Sequence, residues 1–171
     1  YVNAMQEERK AINSMYIQVV CSNSRYIRMD GRVQDINNAG IVTGLYAQAK
    51  ESQSIGEVKS FPIPESKMLK LLPEGIEDYI RILDEAKYLT LRQYVGLEDY
   101  YVTSANMMSP PASDYAYAED VRVSNRLVKA VRMAALNELQ VEVDPSDIET
   151  SLKSIQEQLN IPVEDALRDK V

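Results

Sequence analysis

Histidine and tryptophan are absent from this 171-residue chain, cysteine and phenylalanine occur once each, and glycine only six times. Without imidazole there is no Ser-His-Asp or Cys-His nucleophile arrangement, no histidine general base and no His-containing zinc site. A single cysteine, Cys21, forms no internal disulfide and supplies no thiolate zinc set. Its neighbours Ile17, Val19 and Val20 place it on a buried strand. The glycines form neither GxGxxG nor GxxxxGK[ST], which removes the phosphate-cradling loops. No apolar run approaches the ~20 residues needed to cross a bilayer, so membrane insertion is not expected. The amino-terminal YVNAMQEERKAIN lacks the apolar stretch of a signal peptide, which predicts folding in a cytoplasm. Enzymatic readings are left with carboxylates, tyrosine, serine or lysine.

What is present is ordinary in amount and uneven in distribution. Apolar residues make up 45% and charged residues 26% of the chain, the balance of a globular protein. A single domain of this length buries ~70% of its unfolded surface, and the chain has room for one domain or a domain and a half. The net charge of -7 disfavours nucleic acid and anionic membrane, because affinity for phosphate comes from Lys and Arg. A protein or cationic surface fits better. The acid gathers at the end: from Asp144 onward seven acidic residues stand against three basic ones, giving -4 of the total -7.

Along the chain, Asn3 to Ser14 reads as a short helix and Met15 to Cys21 as a buried strand. Tyr26 to Asp35 reads as a hairpin turning at Asp30-Gly31, a pair that tolerates the positive φ such turns need. Asn37 or Asn38 caps the next helix, where Ile41, Val42, Leu45, Tyr46 and Ala49 repeat at helical spacing and Gly40 and Gly44 permit close packing. Pro62 and Pro64 break regular structure and mark a domain boundary between Phe61 and Ser66. Gly75 to Lys87 then forms an amphipathic helix with Ile76, Ile80, Leu83 and Ala86 on one face.

The segment LTLRQYVGLEDYYVTSANMMSPPASDY, Leu89 to Tyr115, reads as two strands and a committed irregular stretch. Leu89, Leu91 and Gln93 alternate with Thr90, Arg92 and Tyr94; Gly96 breaks the run, and Tyr100 to Thr103 resumes it. Ser109-Pro110-Pro111 holds off helix until Ser113 or Asp114 caps a new one. Eleven tyrosines against one phenylalanine serve burial or contact. Tyr100, Tyr101, Tyr115 and Tyr117 cluster around the irregular stretch, either packing it onto the strands or meeting another subunit. Ser113-Asp114-Tyr115 sets a hydroxyl beside an acid, but adjacent loop residues do not converge and no base is at hand.

The helix from Ala118 to Glu138 carries the main charge pattern. At 100° per residue Arg122, Arg126, Lys129 and Arg132 share one side, opposite Val123, Leu127, Ala130, Val131 and Ala134. Glu119 and Asp120 sit at the positive end of its dipole. The stripe is either a solvated face or a dock for an acidic partner. Asp144-Pro145-Ser146-Asp147 starts the next helix, with Asp144 as cap and Pro145 first inside. Ile148, Leu152, Ile155 and Leu159 form its seam, Asn160-Ile161-Pro162 interrupts it, and Val163 to Val171 forms a short final helix. The acidic end is either an exposed helix or a surface for a basic neighbour, another copy of the chain among the candidates.

Several of these phrases resemble contractile tail sheath proteins, the sleeve subunits of phage tails and related injection systems. The letters are Leu89-Thr90-Leu91-Arg92, Val95-Gly96-Leu97, Tyr100-Tyr101-Val102-Thr103, Asn106-Met107-Met108 and Ser113-Asp114-Tyr115 before a basic helix. Upstream, Gly44-Leu45-Tyr46-Ala47, Ser54-Ile55-Gly56 and Asp84-Glu85-Ala86 match in order. The resemblance implies an α/β, more specifically α+β, fold. Residues 1–64 would be the C-terminal part of a subtilisin-like but non-proteolytic central domain, and 65–171 a sheath C-terminal domain with a short antiparallel sheet and flanking helices. Gly44, Gly96, Tyr101, Asp114 and Tyr115 are the motif residues it marks, and Arg122, Arg126, Lys129 and Arg132 the candidates for contact with the tube or another subunit. It implies a structural, non-enzymatic part of a phage tail or contractile particle, assembled in the bacterial cytoplasm. That part polymerises around an inner tube and contracts to drive it through an envelope. Its partners would be copies of itself, the tail tube protein, and baseplate or terminator proteins, with no nucleic acid and no cofactor. The missing initiator methionine and the few strands ahead of residue 64 predict a piece of a longer protein. A protein-binding adaptor or scaffold that does not polymerise is the alternative, and a carboxylate hydrolase needs a converging acid pair that no spacing singles out.

Overall fold

A computed structural model describes residues 1–140 and 145–168. Two compact units divide the chain, Tyr1–Val121 and Arg122–Val171. The first is mixed α+β, with helices flanking two small antiparallel sheets.

Helix α1, Val2–Ala11, opens the first unit. Strands β1, Asn23–Ile27, and β2, Val33–Asn37, form the expected hairpin, pairing Asn23 with Asn37 and Ile27 with Val33. Its turn contains Gly31 at φ 78°, a conformation that penalises any residue with a Cβ. Helix α2, Asn38–Tyr46, follows without a spacer because the Asn37 side chain accepts the Ala39 N–H at 2.8 Å. Gly40 and Gly44 lie on its exposed side, and a Cβ at either would meet nothing within 4 Å. The close packing expected of them is therefore not made, since the buried face of α2 is Asn38, Val42 and Leu45.

Met68–Leu72, for which no element was expected, is strand β3. It pairs antiparallel with β1 to give the order β2-β1-β3, so this sheet joins residues on both sides of position 64. Phe61 and Ile63 are buried, and Ile63 exchanges two backbone hydrogen bonds of 2.9 Å with Tyr100. The two prolines beside them end regular structure without freeing the chain.

The helix expected over Gly75–Lys87 begins as a 3₁₀ turn, Ile76–Tyr79, and becomes α3 only over Ile80–Glu85. Lys87 at φ 66° ends it. Strands β4, Leu91–Gln93, and β5, Tyr100–Val102, make the second sheet, with Arg92 opposite Tyr101. Both are shorter than the letters predict: Leu89 bonds elsewhere, while Thr90 and Thr103 stay joined just beyond the strands by one backbone hydrogen bond of 3.0 Å and by the Thr103 hydroxyl, which donates to the Thr90 carbonyl at 3.1 Å. Leu89 pairs with the segment read as a strand over Met15–Cys21, which holds a single bridge at Val20. The reason is divided loyalty: Val19 and Cys21 bond to Leu89, while the Ile17 carbonyl accepts the Met108 N–H at 2.8 Å. No single neighbour runs alongside long enough to form a ladder.

Around these joints lies one core, in which Met68, Leu83, Leu89, Leu91, Val102 and Met108 are fully enclosed. Asn38 is the polar group at its heart. Its carbonyl oxygen accepts from the Ser24 hydroxyl at 2.5 Å and its amide donates to the Ser22 hydroxyl at 2.6 Å, tying α2 to β1 and the chain before it.

Helix α4 spans Ala118–Asn137, later than a Ser113 or Asp114 cap would place it. Residues 116 and 117 are kept out of the helix because Tyr117 bridges Asn106, with Met107 bonded to Ala116 and Ala118 to Ala105, each at 2.9 Å. The Ser113 hydroxyl instead accepts the Tyr115 N–H at 3.1 Å. Helix α5, Ile148–Arg168, is capped by Asp147, whose carboxylate accepts the Thr150 N–H at 3.2 Å. Pro145 thus precedes the helix, and Asp144, expected as the cap, lies outside the described residues. So do the last residues of the separate helix expected over Val163–Val171. The expected break does not occur: Pro162 sits inside α5. A proline there costs about 3 kcal/mol. The seam offsets it, because Ile155, Leu159 and Val163 are half-buried and Ala166 buried on the same side. Ile148 and Leu152, also expected on that seam, are exposed.

The Asn38 network yields a direct test. Asn38→Ala leaves two buried hydroxyls short of a partner and is expected to destabilise the fold by about 1–3 kcal/mol in urea unfolding.

Candidate interaction surface

The basic stripe sits on a regular helix whose first turn carries Glu119 and Asp120. Between Val121 and Asn137 the sequence has four cations and no acid. Arg126, Lys129 and Arg132 are exposed and Arg122 half-buried, while Val123, Leu127, Ala130, Val131 and Ala134 on the opposite side are all half-buried. Three large apolar residues escaped the sequence reasoning. Val128, Met133 and Leu136 are 63%, 58% and 50% exposed. At 100° per residue Met133 and Leu136 fall among the cations and Val128 at their edge, a position legible in the spacing once the cationic side is treated as a surface rather than a solvated edge. The face therefore offers charge and apolar area together, which is the composition of a contact.

The other motif residues are not gathered at one point. Gly44 faces outward on α2. Gly96, at φ 88°, makes the turn between β4 and β5, where the Leu97 N–H bonds to the Tyr94 carbonyl at 3.0 Å. Tyr101 is buried on β5, its ring centroid 5.6 Å from that of Tyr94. Arg92 lies over the Tyr94 ring at 4.4 Å. Asp114 and Tyr115 are exposed on the stretch leading to α4. Of the tyrosine cluster, Tyr100 and Tyr101 serve packing; Tyr115 and Tyr117 stay at the surface, with the Lys87 ammonium 5.8 Å from the Tyr117 ring.

Two hollows in the first unit bear on chemistry. One, of about 470 Å³, is lined by Glu77, Asp78, Arg81, Asp84, Arg92 and Thr103. Its central acid is already engaged: the Asp84 carboxylate accepts from the Ser104 hydroxyl and from the Asn106 amide at 2.9 Å. This is a clamp between α3 and the segment after β5. The other, of about 630 Å³, includes Tyr1, Met5, Cys21 and Asn37. Burial pushes the Cys21 thiol up to about 12, so at neutral pH it is protonated and a poor nucleophile. Among the described residues no group of three His, Cys, Asp or Glu is placed to hold a metal, and no helix is long and apolar enough to cross a membrane.

A family model described as DUF2586, N-terminal domain, matches residues 1–106, and one described as DUF2586, C-terminal domain, matches residues 114–171. The chain belongs to the DUF2586 family. No curated protein matches it. The five strands among the described residues fall within the DUF2586 N-terminal domain, and the basic helix and α5 within the C-terminal one. The interval between the two matches, 107–113, is the Met107 to Ser113 stretch that carries the two consecutive prolines.

Two measurements follow from these surfaces. Gly44→Ala fills open space on an exposed helical face and is expected to raise stability by up to about 1 kcal/mol in thermal unfolding. Arg25 and Asp35, directly opposite on β1 and β2, form a two-pronged pair at 2.8 and 3.0 Å, and the Arg25 hydrogen bond holds the Asp35 carboxyl below its usual range. A depressed folded-state pKa stabilises above the unfolded pKa and loses that effect as pH falls through the folded one. Asp35→Asn should therefore lower Tm slightly at pH 7, and the gap from wild type should close as pH drops below about 4.

Proposed function

We propose that this DUF2586 chain is a subunit of a contractile tail sheath or a related injection apparatus. The observation that carries the reading is the order of matched letters along the Leu89–Tyr115 segment. Leu-Thr-Leu-Arg runs into β4, Val95-Gly96-Leu97 forms its turn, Tyr100-Tyr101-Val102 is β5, and Ser113-Asp114-Tyr115 precedes a basic amphipathic helix. In this reading residues 1–64 close a subtilisin-like, non-proteolytic central domain and 65–171 form the sheath C-terminal domain.

The mechanism is mechanical. Many copies assemble as a sleeve around a rigid tube in an extended arrangement, and a trigger lets them repack. The stored free energy resides in the difference between two sets of subunit contacts, which needs no nucleotide and no cofactor. The contact face of α4, where cations surround exposed Val128, Met133 and Leu136, supports a chain made to be covered by partners. Those partners are copies of itself and the tail tube protein, within a phage tail or contractile particle assembled in the bacterial cytoplasm.

Negative-stain electron microscopy of the protein, expressed alone and together with its tube protein, tests this. Hollow rods or striated sleeves are the expected result; uniform small particles under both conditions would instead favour an adaptor that does not polymerise.

A further inference from the structure

We infer that the outer face of α4 docks on the outer face of α5 of a second copy of this chain. The inference deepens the sheath reading, and rests on it only for the number of copies that join.

On α4, Val128, Lys129, Arg132, Met133 and Leu136 follow one another at helical spacing and form one exposed stripe. On α5, Glu157, Ile161 and Asp165 recur every fourth residue and are exposed as well, Ile161 at 49%. The first stripe is cationic with an apolar centre; the second is acidic with an apolar centre. From Ile148 to Ala166 the acids Glu149, Glu157, Glu164 and Asp165 outnumber the lone Lys153, against four cations and no acid over Val121 to Asn137. Opposite charge around exposed apolar residues, three on α4 and Ile161 on α5, is the complementarity that selects a partner helix and speeds encounter.

Lys129, Arg132, Glu157 and Asp165 all remain exposed in the single chain, so the two stripes do not cover each other within it. Unless the same two copies make it twice about a two-fold axis, a contact between two different faces is heterologous: each junction leaves a basic face open at one end and an acidic face at the other. Such contacts close into rings or continue as helical filaments. The basic stripe thus belongs to the neighbouring subunit rather than to the tube.

Sedimentation velocity of the full chain at low and high ionic strength provides the test, with two variants. Lys129→Glu with Arg132→Glu makes both faces acidic; Glu157→Lys with Asp165→Lys makes both basic. Wild type is expected to associate with concentration at low salt and to dissociate as salt screens the contact. Each variant alone should associate at least about tenfold more weakly. An equimolar mixture of the two should associate again, a recovery that misfolded protein would not give. The milder Lys129→Gln with Arg132→Gln should weaken wild-type association in the same direction. Monomeric wild type, unchanged association in either variant, or no recovery on mixing would overturn the inference. Sleeves formed around tube protein by both variants would overturn this contact while leaving the sheath reading intact. Recovery on mixing without sleeves from wild type and tube protein would uphold the contact and remove the sheath reading.

Discussion

Most of the first unit depends on one constraint: backbone amides and carbonyls that leave water must find partners even where the chain forms no regular element. Its strands are only three to five residues long. The core is closed by pairs between irregular segments. Val19 and Cys21 bond to Leu89, Ile17 to Met108, Ile63 to Tyr100, and residues 105 and 107 to 118 and 116. Side chains reinforce the same seams, as when Gln18 donates to the Asn106 carbonyl at 3.0 Å and Tyr88 to the Met5 carbonyl at 2.8 Å. Each pair contributes modestly, but a break at any of them strands a buried polar group, and that asymmetry fixes the arrangement.

The second unit follows a different logic. It is built on α4 and α5, and beside a half-buried seam on each helix it leaves Val128, Met133, Leu136, Ile148, Leu152 and Ile161 exposed. Charge is uneven between the helices: past its acidic first turn α4 carries only cations, and on α5 four acids stand against Lys153 and Arg168. The first unit encloses a core, whereas the second has Ala166 as its buried apolar residue among those described. Under the proposed sheath reading, a subunit that exchanges one set of neighbours for another would use such a division, with a unit that holds its shape and faces whose contacts reverse.

Local signals were read well where local chemistry decides. Asp30-Gly31 placed the hairpin, Asn37 capped α2, and the β4–β5 turn fell at Gly96. They misled where a distant partner decides. Met15–Cys21 has every letter of a strand but bonds partly to Leu89 and partly to Met108, both distant along the chain. β3 was missed because Lys67 to Leu72 alternates too weakly to be seen without β1 beside it. Ser113 and Asp114 look like caps, yet the pairing of Ala116 and Ala118 with Met107 and Ala105 delays the helix. Pro162 looks like a stop, and an apolar seam continuing to a buried Ala166 carries the helix past it.

The candidate face was half legible. Four cations on one side of α4 follow from spacing alone, because a helix repeats every 3.6 residues wherever it sits. By itself the sequence also determined the absence of imidazole chemistry, the acidic carboxyl end and the caps of the hairpin and α2, all properties of composition or of neighbours in the chain. Only the tertiary structure decided which apolar residues remain outside the core. Met68 and Met108 are enclosed and Met133 is exposed, though the three side chains are identical, because burial depends on which segments converge on a residue and not on the residue itself.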